Sequence, residues 1–248
     1  MADTTDSPPR TGQRLIGEGG ILTVINLPER RDRRAAFARQ LARIGLSLDD
    51  PRVQLLPGIR PDTAGGFPGI GARGCFLSHL AALRLARDRG ANRLVLCEDD
   101  LDFAPDFTAR APAILSGMDG LHWDIVQAGH IGLPGRVDTG SGLVPIAPDT
   151  AFLGAHFMLF RGSILDDLVR YLEAMLDRPA GSPLGGPMHV DGAYNHFRRD
   201  RPDLAAFIVV PPLGNQRRSR SDITSRHLID RVPILRGLAD LLRRLRSP

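Results

Sequence analysis

Lysine is missing altogether and cysteine nearly so: the 32 basic residues are all arginine, and the only thiols in 248 residues are Cys75 and Cys97. The all-arginine complement reflects coding composition more than chemistry. Two cysteines without repeated spacing exclude a disulfide framework and a zinc knuckle. Each sits in an apolar stretch, where a free thiol behaves as a small hydrophobe, so both read as core filler. No apolar run approaches the roughly 18–20 residues of a membrane-spanning helix. The opening MADTTDSPPRTGQRLIGEGG lacks the basic start and apolar centre of a secretory signal. Residues 1–20 are therefore expected to form a flexible leader, and the protein to be cytoplasmic.

A basic face is also lacking. The net charge is +4, but residues 217–248 hold nine Arg and three Asp, leaving 23 basic and 25 acidic residues elsewhere. A nucleic-acid-binding domain should be basic across its main body, so nucleic acid is not expected as a partner. There is no internal repeat, and no boundary marks a second domain.

What is present is an alternation of strands and helices. ILTVINL (21–27) reads as a central strand, and PERRDRRAAFARQLARIG as a helix with Pro28 near its first turn and Gly45 at its end. RVQLLPG (52–58) is a second strand and RPDTAGGFPGIGARG a Gly/Pro-rich loop. CFLSHLAALRLARDRG (75–90) follows as an amphipathic helix, and RLVLC as a buried strand. Further strands are expected at 124–129, 151–162 and 206–212, with a helix over SILDDLVRYLEAML. A polar insertion between the first two could form a small hairpin, and LGNQRRSRSDI reads as a polar loop. This order predicts an α/β domain with a mostly parallel sheet flanked by helices over 21–225. A basic amphipathic helix is predicted within 226–248.

One element demands explanation. The apolar strand Leu94–Cys97 runs directly into Glu98, Asp99 and Asp100. Adjacent carboxylates repel, so something must compensate them. Ligands of open α/β sheets bind beyond the carboxyl ends of the strands. Strand alternation would send Glu98 and Asp100 to one side and Asp99 to the other. Carboxylates so placed can hold Mn²⁺ or Mg²⁺, with phosphate oxygens completing the shell. The alternative is a solvated acidic turn.

VINLPERRDRR, GARGCFLSHLAAL, LVLCEDDL and PPLGNQRRSRSDI occur in an order and spacing that resembles glycosyltransferase family 25, over about residues 21–223. The resemblance implies a GT-A-like enzyme that inverts the anomeric centre. It implies a UDP-sugar donor, commonly UDP-galactose, a saccharide or glycolipid acceptor, and an Asp-x-Asp-like motif holding the metal. By resemblance Asp100 would bind metal and Glu98 metal or ribose, with Asp99 behind them. Asn26 would pair with uracil or merely end its strand, and Arg33 would meet phosphate. Gly71 and Gly74 would bring a helix N-terminus to an anion, and Ser78 and His79 would contact donor sugar or diphosphate. Gln216, Ser221 and Asp222 would close over the diphosphate. The general base would be Asp191, with Asp124 as the fallback; an N-cap role for Asp191 is the competing reading.

The apolar stripe Ile234, Leu235, Leu238, Leu241, Leu242 and Leu245, flanked by arginines, would pack on the domain or lie on an anionic membrane through residues 234–246. Three rival readings remain. A nucleotidyltransferase would want a Gly-rich N-terminal phosphate loop, which VINLPERRDRR is not. An Arg-rich module would bind membrane or nucleic acid through its tail. A non-catalytic relative would bind UDP-sugar without turnover.

Overall fold

The strand that ends in the three acids is buried from both sides. In the computed structural model, which describes residues 11–132 and 142–217, Leu94, Val95, Leu96 and Cys97 are each 0% exposed. Leu94 and Leu96 enter one hydrophobic core, Val95 and Cys97 the other. This is the period-2 alternation of a strand sandwiched between two layers.

The chain begins with α1 (Thr11–Ile16), β1 (Ile21–Asn26), α2 (Arg31–Arg43) and β2 (Val53–Pro57). Then come α3 (Ile70–Asp88), β3 (Arg93–Glu98), a short β4 (Leu101–Phe103), α4 (Phe107–Asp119), β5 (Ile125–Gly129) and β6 (Gly142–Pro145). β7 (Phe157–Arg161), α5 (Leu165–Leu176), α6 (Val190–Asp200), β8 (Ala206–Val210) and β9 (Gly214–Gln216) complete it. A seven-stranded sheet has the order β2-β1-β3-β7-β5-β8-β6. The sheet is mostly parallel: β2, β1, β3, β5 and β8 share a direction, against which β7 and β6 run antiparallel. α3, α5 and α6 cover one face through residues such as Phe76, Leu172 and Phe197. α1, α2 and α4 cover the other through Leu15, Phe37 and Leu115.

Several expectations change. Residues 11–16 are not leader but helix, because Leu15 and Ile16 bury at 1% and 0% exposure in the second core. α3 begins at Ile70, five residues inside the expected loop. The glycines there permit helix as well as loop, and Gly74 is required: a Cβ would stand 2.5 Å from the Ile59 carbonyl oxygen. No hairpin forms within the insertion among the described residues; β6 pairs with β8 instead. Part of the expected C-terminal loop is β9, which pairs antiparallel with β4 in a separate two-stranded sheet. The predicted C-terminal helix lies outside the described residues. No helix among the described residues is long and apolar enough to cross a membrane.

Candidate functional site

β1 and β3 are neighbours and parallel, so Asn26 and Glu98 reach the same edge of the sheet. The chain then turns at Asp99–Asp100 before β4, and this turn breaks the alternation expected of the acids. Glu98 continues the Leu94–Leu96 face, towards α3. Asp99 and Asp100 instead share a cation on α2: Nη1 of Arg33 lies 3.0 Å from Asp99 Oδ1 and 3.2 Å from Asp100 Oδ2. The three side chains are 12%, 7% and 8% exposed, so this ion triad is largely desolvated. The repulsion within the acidic triplet is therefore offset first by an arginine.

The surrounding groups orient each acid separately. Asn26 Nδ2 donates to Asp99 Oδ2 at 2.6 Å and to the Arg30 carbonyl at 3.2 Å. With that amide committed and the residue 3% exposed, Asn26 positions Asp99 rather than offering its donor to a base. Gln216 Nε2 donates to Asp100 Oδ2 at 3.4 Å, and the Arg217 amide to the Asp100 carbonyl at 2.6 Å. The Arg217 side chain is engaged by Asp102, which Gln40 also holds. β9 thereby brings Gln216 to the acidic cluster. Ser221 and Asp222 lie outside the described residues.

Burial and the Glu98 charge push Asp100 up to about 7, with Arg33 opposing. Asp99 is also raised by burial, against the pull of Asn26 and Arg33. For Glu98 burial acts upward, but His79, His156 and Arg33 together outweigh it and hold the carboxyl below its ordinary range. Oδ1 of Asp100 is buried and has no hydrogen-bond partner among the described residues. A buried acceptor left so is costly and marks a place where an additional cation or donor fits.

On α3, His79 is 0% exposed, with Nδ1 at 3.0 Å from the Tyr194 hydroxyl and Nε2 at 3.4 Å from Glu98 Oε1. It belongs to the site through Glu98. Ser78 and Gly74 do not. Ser78 Oγ donates to the Gly74 carbonyl at 2.7 Å and accepts the Ile59 amide at 2.8 Å, so it fastens the segment after β2 to α3. Gly74 lies in the second turn of α3 beneath the Ile59 carbonyl, and Gly71 is inside the helix. The helix starts before both glycines: Gly74, in the second turn, has its amide inside the helix, whereas Gly71 is the second residue of α3, where backbone N–H groups have no partner within the helix.

Asp191 and Asp124 part company. Asp191 is in the first turn of α6, whose N-cap is His189, so the N-cap reading is replaced. Its Oδ2 accepts the Gly154 amide at 2.9 Å and its Oδ1 the Gly192 amide at 2.8 Å. Gly154 has φ +87°, a backbone that L side chains rarely adopt. Burial, and after it the charges of Glu98, Asp191 and Asp100, raise the Cys75 thiol, so Asp191 shares the electrostatic surroundings of Cys75 with the acids. Asp124 lies elsewhere. Its backbone carbonyl accepts the Arg161 amide, whereas Glu98 pairs with His156 at the other end of β7, roughly 16 Å along the strand. Asp124 Oδ2 instead accepts the Ala205 amide at 2.9 Å, with His122 3.3 Å away. It is a clamp at the amino end of β5.

Sequence reasoning missed three contributors. His156, 1% exposed, approaches the Gly214 carbonyl through Nε2 at 3.4 Å. Tyr194 is buried behind His79. Cys75 stands with His79 and Glu98 in a group whose sulfur, nitrogen and oxygen atoms lie within 4.8 Å of one another. The i, i+4 spacing of Cys75 and His79 was visible in the sequence; their partners were not.

No family model matches the chain. Curated relatives do. A mouse protein named inactive glycosyltransferase 25 family member 3 is 28% identical over 178 residues, covering 66% of this chain and 28% of that protein. The human protein of the same name is 26% identical over 239 residues, covering 86% of this chain and 39% of that one. The chain thus spans between about a quarter and two fifths of these relatives' length. Among solved structures, A197 from STIV aligns with a TM-score of 0.39 at 12% identity, over 76% of this chain and 80% of that one. A glycosyltransferase involved in glycosylation of the major capsid of PBCV-1 aligns with a TM-score of 0.37 at 12% identity, over 77% and 94%.

Proposed function

We propose that this protein is an inverting glycosyltransferase of the GT-A type, which moves a sugar, galactose first among the candidates, from a UDP-sugar to a saccharide of a surface glycoconjugate. The observation that carries this reading is the desolvated carboxylate cluster at the carboxyl end of β3, where Asp100 keeps a buried Oδ1 without a hydrogen-bond partner among the described residues. The sequence similarity to glycosyltransferase 25 proteins supports it.

The donor set fits a hard divalent cation, Mn²⁺ or Mg²⁺: Asp100 would hold it, and Glu98 would hold it or the ribose. Once bound, such an ion offsets the negative charge that builds on the departing diphosphate. The chain's own residues do the rest. Arg33 and Asn26 lock Asp99, which fixes the turn that presents Asp100. Gln216 holds the second Asp100 oxygen from β9.

Asp191 would take the proton from the acceptor hydroxyl as it attacks the anomeric carbon. The Gly154 and Gly192 amides hold its carboxylate in one orientation, and lone pairs remain for an incoming hydroxyl. The acceptor would be a saccharide or glycolipid, with residues 234–246 supplying any contact to an anionic membrane.

A second reading has one observation in its favour: the curated relatives are named inactive. On that reading the site binds UDP-sugar without turning it over. Calorimetric titration of UDP, with and without Mn²⁺, followed by transfer assays over a panel of UDP-sugars, tests both. Metal-dependent UDP binding with sugar transfer supports the enzyme, and binding without transfer to any acceptor offered supports the second reading. If wild-type protein binds no UDP under either condition, the donor assignment falls.

A further inference from the structure

We propose that Cys75, His79 and Glu98 form a second cation site, for a borderline-soft divalent ion such as Zn²⁺, distinct from the hard-cation site proposed at Asp100 and joined to it through Glu98. The three residues come together from two elements. Cys75 and His79 are one helical turn apart on α3, so their side chains share a face. Glu98 ends β3 on the same side. Their sulfur, nitrogen and oxygen atoms lie within 4.8 Å of one another, and tetrahedral zinc needs about an ångström less between ligand atoms. Small rotations of Cys75 and Glu98, both only partly buried, close that difference.

A second observation points into the same space. His79 is 0% exposed and its Nε2 is a buried atom without a hydrogen-bond partner, 3.4 Å from Glu98 Oε1. Its other nitrogen, Nδ1, is already placed by the Tyr194 hydroxyl at 3.0 Å. On ion binding the proton would sit on Nδ1, donated to Tyr194, and the Nε2 lone pair would face the ion. This is the outer hydrogen bond that metal-ligating histidines use to fix tautomer and ring orientation.

The ligand set selects the ion. Thiolate and imidazole favour zinc-like ions over Mg²⁺ or Mn²⁺, whereas Asp100 offers oxygen alone. Three protein ligands leave a fourth position for water, as in open zinc sites. Burial and the charges of Glu98, Asp191 and Asp100 hold the Cys75 thiol in its protonated form, and the same three carboxylates favour a cation beside it. Binding requires the thiolate, so the Cys75 proton passes to solvent and one proton is released per ion bound.

The experiment is a Co²⁺ titration of the full chain, first stripped of metal with chelator, read by the thiolate-to-cobalt charge-transfer band. The expected result is a saturable band that Zn²⁺ abolishes, present in wild type and Asp100→Asn and lost in Cys75→Ser. Retention in Asp100→Asn separates this site from the proposed UDP-linked one, and failure of UDP binding would leave it standing. No band in wild type, or a band that survives Cys75→Ser, overturns the proposal. Should Cys75→Ser fail to fold, wild-type protein answers alone: Zn²⁺ should slow alkylation of Cys75, mapped by peptide mass, at least tenfold. An unchanged alkylation rate contradicts the site.

Discussion

Arg33 and Asp99 meet across the sheet edge at 3.0 Å, the first extended from α2 and the second from the turn after β3, with side chains 12% and 7% exposed. The same Nη1 reaches Asp100 at 3.2 Å. One guanidinium thereby neutralises part of a charge cluster that the sequence alone assigned wholly to a metal.

Removing one partner of a buried ion pair leaves the other uncompensated, at a cost of about 3–5 kcal/mol. Arg33→Met should therefore lower the melting temperature by about 10 °C in metal-free buffer. Added Mn²⁺ should restore part of the loss if Asp100 accepts the ion. A melting temperature within a degree of wild type would remove Arg33 from its compensating role.

Asp100 titrates near 7 in the folded chain against an ordinary value of 3.8, because burial and Glu98 disfavour its charged form. A raised carboxyl favours folding at low pH, and that contribution is lost as pH rises from about 4 through 7. Asp100→Asn, which stays neutral, should melt at least about 3 °C above wild type at pH 8 in chelator and close to it at pH 4. Equal melting curves at pH 8 would show that the charge is not strained.

Ser78 has both its hydrogen bonds inside the protein, to the Gly74 carbonyl and the Ile59 amide. Ser78→Ala should cost about 1–2 kcal/mol in denaturant unfolding and leave UDP affinity unchanged. A tenfold loss of UDP affinity without loss of stability would instead make the hydroxyl a donor contact.

Asp191→Asn keeps the side-chain shape and an acceptor oxygen for the Gly154 amide, and gives up the acceptor that meets the Gly192 amide. It should abolish at least 99% of sugar transfer, on the order of the 10²–10⁴-fold expected of a general base, while UDP affinity changes less than threefold. Transfer near the wild-type rate would send the search for the base elsewhere.

Much of the frame was legible in the sequence for plain reasons. Leu94–Cys97 is buried on both faces, so it reads as a continuous apolar run, and the acids that close it stand at the carboxyl edge of the sheet. Asn26, Arg33 and Gln216 do lie at that edge, with their side chains turned to other residues of the chain. Their contacts are with Asp99 and Asp100, and a side chain's partner across 66 or more residues leaves no local trace. The alternation of Glu98, Asp99 and Asp100 failed because the chain leaves strand geometry at Asp99. β4 and β9 are three residues each, too short for any period to show, and α4 carries Pro112 inside it. Gly74 looked like phosphate-loop glycine, yet it is small because the Ile59 carbonyl presses on it. Cys75 reads as filler in the sequence, and its proximity to His79 and Glu98 exists only in the folded chain.

The most direct test of the account is calorimetric titration of UDP into wild type and Asp100→Asn, each with Mn²⁺ and with chelator. The account predicts UDP binding to wild type that depends on Mn²⁺ and is at least tenfold weaker in the variant. UDP binding that is indifferent to both Mn²⁺ and Asp100, or absent from wild type, would contradict it.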